Sequence, residues 1–173
     1  MKKTFIATLL VLIIASTSIF AVTDSFDVST TIGEIGNMKV SALPIAGNTL
    51  ADYTASGLFT ELGTTGFGDQ TFEAYLTTLS NKRSGYEVTM NATAMKSEAT
   101  PTTYIDYTVT VNSKSVETLG SRVNTVVTPV DVATVSELTG ASSRITLSVD
   151  ETSFKKAVSG KYVGSVTFTY TAT

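Results

Sequence analysis

The chain has 173 residues, a net charge of −3, and no Cys, His or Trp. Without Cys there is no disulfide framework, thiol nucleophile or Cys-ligated metal; without His there is no imidazole base, Ser–His triad or His-ligated metal. The pI near 4.9 lacks the Lys/Arg surplus that phosphate binding needs, so nucleic acid is not expected as a partner.

The chain begins with a positive stretch, Met1-Lys2-Lys3, followed by a mostly apolar run from Phe5 to Ile14. Ser16-Thr17-Ser18 then relaxes the polarity, and Ala21 is a small residue suited to cleavage before Val22. This is the pattern of a secretory signal peptide, predicted over residues 1–21, and it predicts export. The run from Phe5 to Val22 is 18 residues long, so an anchor retained in the membrane is the competing reading. The Ser/Thr interruption and the lack of a stop-transfer pattern favour cleavage. The remaining 152 residues carry ten basic and fifteen acidic side chains and suit one domain with a sizeable core. An exported domain without Cys must draw its stability from packing and backbone pairing.

Phe26, Val28, Thr30 and Ile32 alternate with Asp27, Ser29 and Thr31, an extended segment ended by Gly33. It reads either as an ordinary first strand or as a donor arm, with Gly33 and Gly36 supplying a hinge. Met38 to Ser41 resumes an extended pattern. Asp52 to Leu62 suits one short helix, and Gly66-Phe67-Gly68-Asp69 a turn without the Lys-Ser/Thr of a phosphate loop. Phe72 to Leu79 alternates imperfectly. Tyr86, Val88, Met90, Ala92 and Ala94 then alternate cleanly with polar residues, as do Ile105, Tyr107, Val109 and Val111. Val123 to Val127 and Val130 to Val135 are shorter runs around Pro129, which marks an edge, a turn or a sheet switch. Ser136-Glu137-Leu138 suits a turn of helix. Ile145, Leu147 and Val149 alternate again, and so do Tyr162, Gly164, Val166, Phe168 and Tyr170. Turn signals punctuate these runs at Gly47-Asn48, Ser84-Gly85, Pro101, Asn112-Ser113, Gly140 and Ser159-Gly160. With 29 Thr and 17 Ser behind Ala21, a disordered Ser/Thr stalk is the compositional alternative. The period-2 runs exclude it and predict an all-β sandwich.

Phe26-Asp-Val-Ser-Thr-Thr-Ile-Gly-Glu-Ile, running on through Met38-Lys-Val, resembles the N-terminal arm and first body strand of chaperone–usher fimbrial subunits (pilins), most of all the colonisation-factor (alpha-type) branch. Gln70-Thr-Phe-Glu-Ala-Tyr and Tyr86-Glu-Val-Thr-Met-Asn-Ala are similar to the central strand pair of that branch. Ser159-Gly-Lys-Tyr-Val-Gly-Ser-Val-Thr-Phe-Thr-Tyr is similar to its last strand, and to that of spore-coat-U-like pilins. The absence of Cys suits the alpha-type branch. The resemblance implies an immunoglobulin-like sandwich that lacks one strand and is completed by a donor strand from a neighbouring subunit. It divides the chain into a leader at 1–21, an arm at 22–33 and a pilin domain at 34–173. It implies a periplasmic chaperone and an outer-membrane usher as partners, and copies of the chain joined head to tail in a surface fimbria that supports adhesion. Phe26, Val28, Thr30 and Ile32 would be the donor residues, with a shallow pocket for Thr30. Tyr162, Gly164, Val166, Phe168 and Tyr170 would line the acceptor groove or the core beside it.

Other candidate chemistry is thin. The acidic pairs Asp24/Asp27 and Asp150/Glu151 lack any sign of the cleft a glycosidase needs. Lys82-Arg83 and Lys155-Lys156 read as solvated loop ends, and the acceptor triplet Asn91-Ala-Thr falls inside a strand. No enzyme activity, metal or cofactor is expected. A monomeric exported sandwich that binds carbohydrate or protein, and an envelope protein held by its N-terminal helix, are the alternatives to the fimbrial subunit.

Overall fold

The computed structural model describes residues 28–173. The leader at 1–21, the cleavage position at Ala21 and Val22, and Phe26 lie outside the described residues. The chain divides into two units, Met1–Ile32 and Gly33–Thr173. Of the first, residues 28–32 are described: they form neither helix nor strand.

The second unit is an all-β sandwich of two antiparallel sheets. Its strands are β1 (Gly36–Ser41), β2 (Gly68–Asp69), β3 (Tyr75–Ser80), β4 (Tyr86–Ser97), β5 (Tyr104–Ile105), β6 (Tyr107–Val111), β7 (Lys114–Glu117), β8 (Val127–Val132), β9 (Thr139–Val149) and β10 (Tyr162–Ala172). Two six-residue helices, α1 (Leu50–Ala55) and α2 (Glu151–Lys156), sit in the connections. The first sheet runs β1-β3-β9-β6-β7, with β2 beside the far end of β9. In the second, β4 pairs with β10 along one edge and with β8 and β5 along the other. An immunoglobulin sandwich sets strands ABED against CFG. Here β1-β3-β9-β6 follows ABED, and β4 and β10 follow C and F. Among the described residues no strand holds the G position on the outer edge of β10.

The alternation read in the sequence is what closes the core. Tyr86, Val88, Met90, Ala92 and Ala94 on β4 are buried, and Tyr107, Val109 and Val111 on β6 and Ile145 and Val149 on β9 meet them from the other sheet. The β6–β7 hairpin turns on Asn112 and Ser113, at φ 48° and 61°. A two-residue hairpin loop of type I′ demands positive φ at both positions, and Asn is among the side chains that tolerate it.

β3 explains the imperfect run at Phe72–Leu79: nearly all of it is buried, on both faces. Helix α1 packs against it, so Thr77 is covered as well as Leu76. The buried hydroxyls are all bonded. Ser41 Oγ lies 2.7 Å from Thr77 Oγ1, Thr77 Oγ1 lies 2.7 Å from Ser142 Oγ, and Thr78 Oγ1 lies 2.9 Å from the Tyr86 hydroxyl. Paired hydroxyls of this kind are nearly neutral to bury, whereas unpaired ones would cost 1–3 kcal/mol each, as an order of magnitude. The Thr/Ser-rich composition is thus part of the core.

Four local expectations are corrected. The helix expected at Asp52–Leu62 runs from Leu50 to Ala55, because a Thr49–Asp52 capping box starts it early and Gly57, at φ 69°, lies just past its end. Ser136–Leu138 is a bend, not helix. The second helix begins instead behind Asp150, whose carboxylate accepts the Ser153 backbone N–H at 2.6 Å. That bond, followed by one from the Ser153 side chain, holds the Asp150 carboxyl below its ordinary range. The cap is therefore fully present above the ordinary carboxylate pKa and fades as pH falls through the lowered folded value. Gly140 lies inside β9, where a Cβ would stand 2.7 Å from the Gly47 carbonyl oxygen. Gly36 lies inside β1 and is no hinge; its Cβ would stand 3.0 Å from the Tyr170 hydroxyl.

Candidate strand-accepting groove

β10 is the longest outer strand, eleven residues, and its side facing away from β4 pairs with no strand among the described residues. Unpaired edges invite other strands, so proteins guard them with charge, proline or brevity. The other outer strands obey that rule. β1 carries Lys39, β7 carries Lys114 and Glu117, β8 carries Pro129 and Asp131, and β5 has two residues. Tyr162–Ala172 holds no charge and no proline.

A groove of about 530 Å³ lies along the Tyr162–Phe168 half of β10. Its floor is the sandwich core itself: Ala74, Tyr107, Val109, Ile145 and Leu147. Its far bank is Val40 of β1 together with Phe59, Leu62 and Phe72. Phe59 is pinned there by its N–H, which donates to the Val40 carbonyl at 3.0 Å, and by Phe72, whose ring centroid is 5.9 Å away. The inward side chains of β10, Tyr162, Val166 and Phe168, pack on the core yet remain only half-buried. Apolar side chains left half-wet beside an open backbone edge are incompletely packed by the standards of a protein interior.

Gly164 belongs to the groove's near bank for a reason of space. The β10–β4 register shifts between Val163 and Ser165, so Gly164 alone stands opposite Ala94 and Met95, the bulged pair on β4. A Cβ there would stand 2.7 Å from the Thr93 carbonyl oxygen and 3.1 Å from the Met95 nitrogen. Next to it, β10 is tied back by Tyr107, whose hydroxyl donates to the Ser165 carbonyl at 3.0 Å. Burial pushes the Tyr107 pKa up to about 12, so this donor keeps its proton at any physiological pH.

Tyr170 does not line the groove. It packs on the core, the other half of the expectation: its ring stacks on Tyr86 at 5.1 Å, its hydroxyl lies 3.2 Å from Ser80 Oγ, and Gly36 sits against it. The sequence thus marked the near bank but missed the far one. Phe59 and Leu62 are three residues apart, a helical spacing in a segment that forms neither helix nor strand. Among the arm residues, Val28 is 86 % and Ile32 82 % exposed, Thr30 is exposed as well, and Phe26 lies outside the described residues.

Elsewhere the carboxylates serve the fold. Asp106 Oδ1 accepts the Gly120 N–H at 2.6 Å, Asp150 caps α2, and Glu151 pairs with Lys155. Among the described residues no three His, Cys, Asp or Glu side chains gather to hold a metal ion. Compared with family models, with curated proteins and with solved structures, the chain matches none.

Proposed function

We propose that this protein is a structural subunit of a surface fimbria, built by donor-strand exchange between identical copies and supporting adhesion. The observation that carries the proposal is the uncharged outer edge of β10 running beside a groove whose lining is mainly apolar, with Glu61 and Lys161 also on it. An extended segment fits such a site by bonding its main chain to the edge and setting alternate side chains into the groove. Residues 22–33 have that pattern, and Val28 and Ile32 stand in solvent. In this reading Phe26, Val28, Thr30 and Ile32 enter the groove of the next copy beside Val166 and Phe168. Each copy gives with one surface and receives with another, so the contact is heterologous and propagates as a fibre. A periplasmic chaperone would cover the groove in transit and an outer-membrane usher would guide export, as the resemblance implies.

A synthetic peptide of residues 22–33, labelled and titrated against the purified chain behind Ala21, tests the site. Saturable binding is expected. A peptide carrying Val28→Asp and Ile32→Asp should bind at least tenfold more weakly. Equal binding of both peptides, or none by the native one, would reject the reading and favour a self-sufficient monomeric sandwich.

A further inference from the structure

Residues 33–35 precede the first strand, yet each is held. Asn81, just past the end of β3, takes the Ile35 N–H on Oδ1 at 2.6 Å and donates from Nδ2 to the Gly33 carbonyl at 2.9 Å. Its own N–H donates to the Ile35 carbonyl at 3.1 Å. Lys82 Nζ pairs with the Glu34 carboxylate at 2.9 Å. The β1–β3 ladder ends at the pair Gly36 and Ser80; beyond it the Asn81 backbone holds the Ile35 carbonyl, the Asn81 side chain holds the Ile35 N–H and the Gly33 carbonyl, and Lys82 holds Glu34. Ile32, the next residue out, is 82 % exposed. The bonds to Asn81 and Lys82 thus reach out as far as Gly33, next to the exposed Ile32.

We infer that Asn81, backed by Lys82, is a positioning residue that clamps the root of the donor arm and so sets the spacing and stiffness of the joint between successive subunits. The inference rests on the donor-strand reading. In that reading the arm is the sole covalent link between a body and the groove it fills, so the point at which it leaves the body fixes the tether length. Releasing residues 33 and 34 would add about 7 Å of tether, at roughly 3.3–3.6 Å per residue, with the Ile35 carbonyl still bonded to the Asn81 backbone N–H. The β3–β4 turn does not depend on the Asn81 side chain: Gly85 N–H donates to the Lys82 carbonyl at 2.9 Å, and Lys82 N–H to Ser80 Oγ at 3.1 Å. The clamp can be removed without removing the turn.

Asn81→Ala, compared with the native chain, tests this by amide exchange, arm-peptide binding and electron microscopy of assembled fibres. The Ile35 amide should exchange at least tenfold faster, peptide binding should stay within twofold, and the fibres should show wider scatter in subunit spacing and a persistence length at least halved. Asn81→Asp keeps the acceptor for Ile35 and loses the donor to Gly33, and should fall between the two. Native-like fibres from Asn81→Ala would overturn the inference and leave the donor-strand reading intact. Loss of peptide binding in that variant would also overturn it, since the clamp would then belong to the groove. A native chain that neither binds the peptide nor assembles would overturn both.

Discussion

Replacing Phe26, Val28 and Ile32 together with Asp should abolish fibre assembly while leaving the sandwich folded. Burying three such side chains contributes about 4.5–9 kcal/mol gross, at roughly 1.5–3 kcal/mol each, and three carboxylates would instead be driven into a mainly apolar groove. Val28 and Ile32 contribute almost no burial within the chain, being 86 % and 82 % exposed, so the melting temperature should hardly move. The reciprocal change is Val166→Asp on the accepting side, at a half-buried position in the groove. It should also stop assembly, but for the complementary reason. Mixing the two variants then gives a sharp result. The Val166 variant keeps a working arm, and the arm variant keeps a working groove, so together they should form a 1:1 complex and nothing longer. Size-exclusion chromatography with light scattering reads this directly. Long fibres from the mixture, or unfolding of the arm variant, would contradict a head-to-tail exchange.

Gly85→Ala should be the most damaging single-methyl change in the sandwich. Gly85 sits at φ 89°, and a Cβ there would fall 1.9 Å from the Val132 carbonyl oxygen and 2.7 Å from the Ala133 carbonyl. Both obstacles are backbone, so no rotamer can move aside. Either β8 leaves the start of β4, where Tyr86 pairs with Val132, or the turn after β3 is rebuilt. Positive-φ strain of about 1–2 kcal/mol adds to the lost pairing, for a total of about 3 kcal/mol or more. At roughly 2–4 °C per kcal/mol for a domain of this size, the thermal midpoint should fall by about 10 °C. Gly63→Ala is the control: nothing lies within 4 Å of its Cβ position, and it should be close to neutral. Equal midpoints for the two variants would contradict the backbone contact at Gly85.

Much of the sandwich was legible because a half-buried strand must alternate. Tyr86 to Ala94, Tyr107 to Val111 and Ile145 to Val149 all face inward as their period required. β3 was less legible because α1 covers its second face, which turns alternation into continuous burial. Pro129 was read as an edge, turn or switch; it lies within the outer strand β8, at a register shift against β4. Two classes of feature were not legible. The far bank of the groove comes in part from a stretch without helix or strand whose apolar residues, Phe59 and Leu62, mimic helical spacing. The Asn81 clamp depends on side-chain contacts 46 and 48 residues apart in sequence, which no local pattern encodes. What the sequence did show of the site was its most exceptional strand: eleven residues of Tyr, Val, Gly, Ser, Thr, Phe and Ala without one charge.

The central claim is that β10 receives a strand along its outer edge. Hydrogen exchange of the purified chain behind Ala21, with and without saturating 22–33 peptide, tests it most directly. Alternate amides of an edge strand point away from its neighbour. About every second amide between Tyr162 and Ala172 should exchange fast in the free chain and at least tenfold more slowly with the peptide bound. Unchanged exchange along β10 at peptide saturation would contradict it.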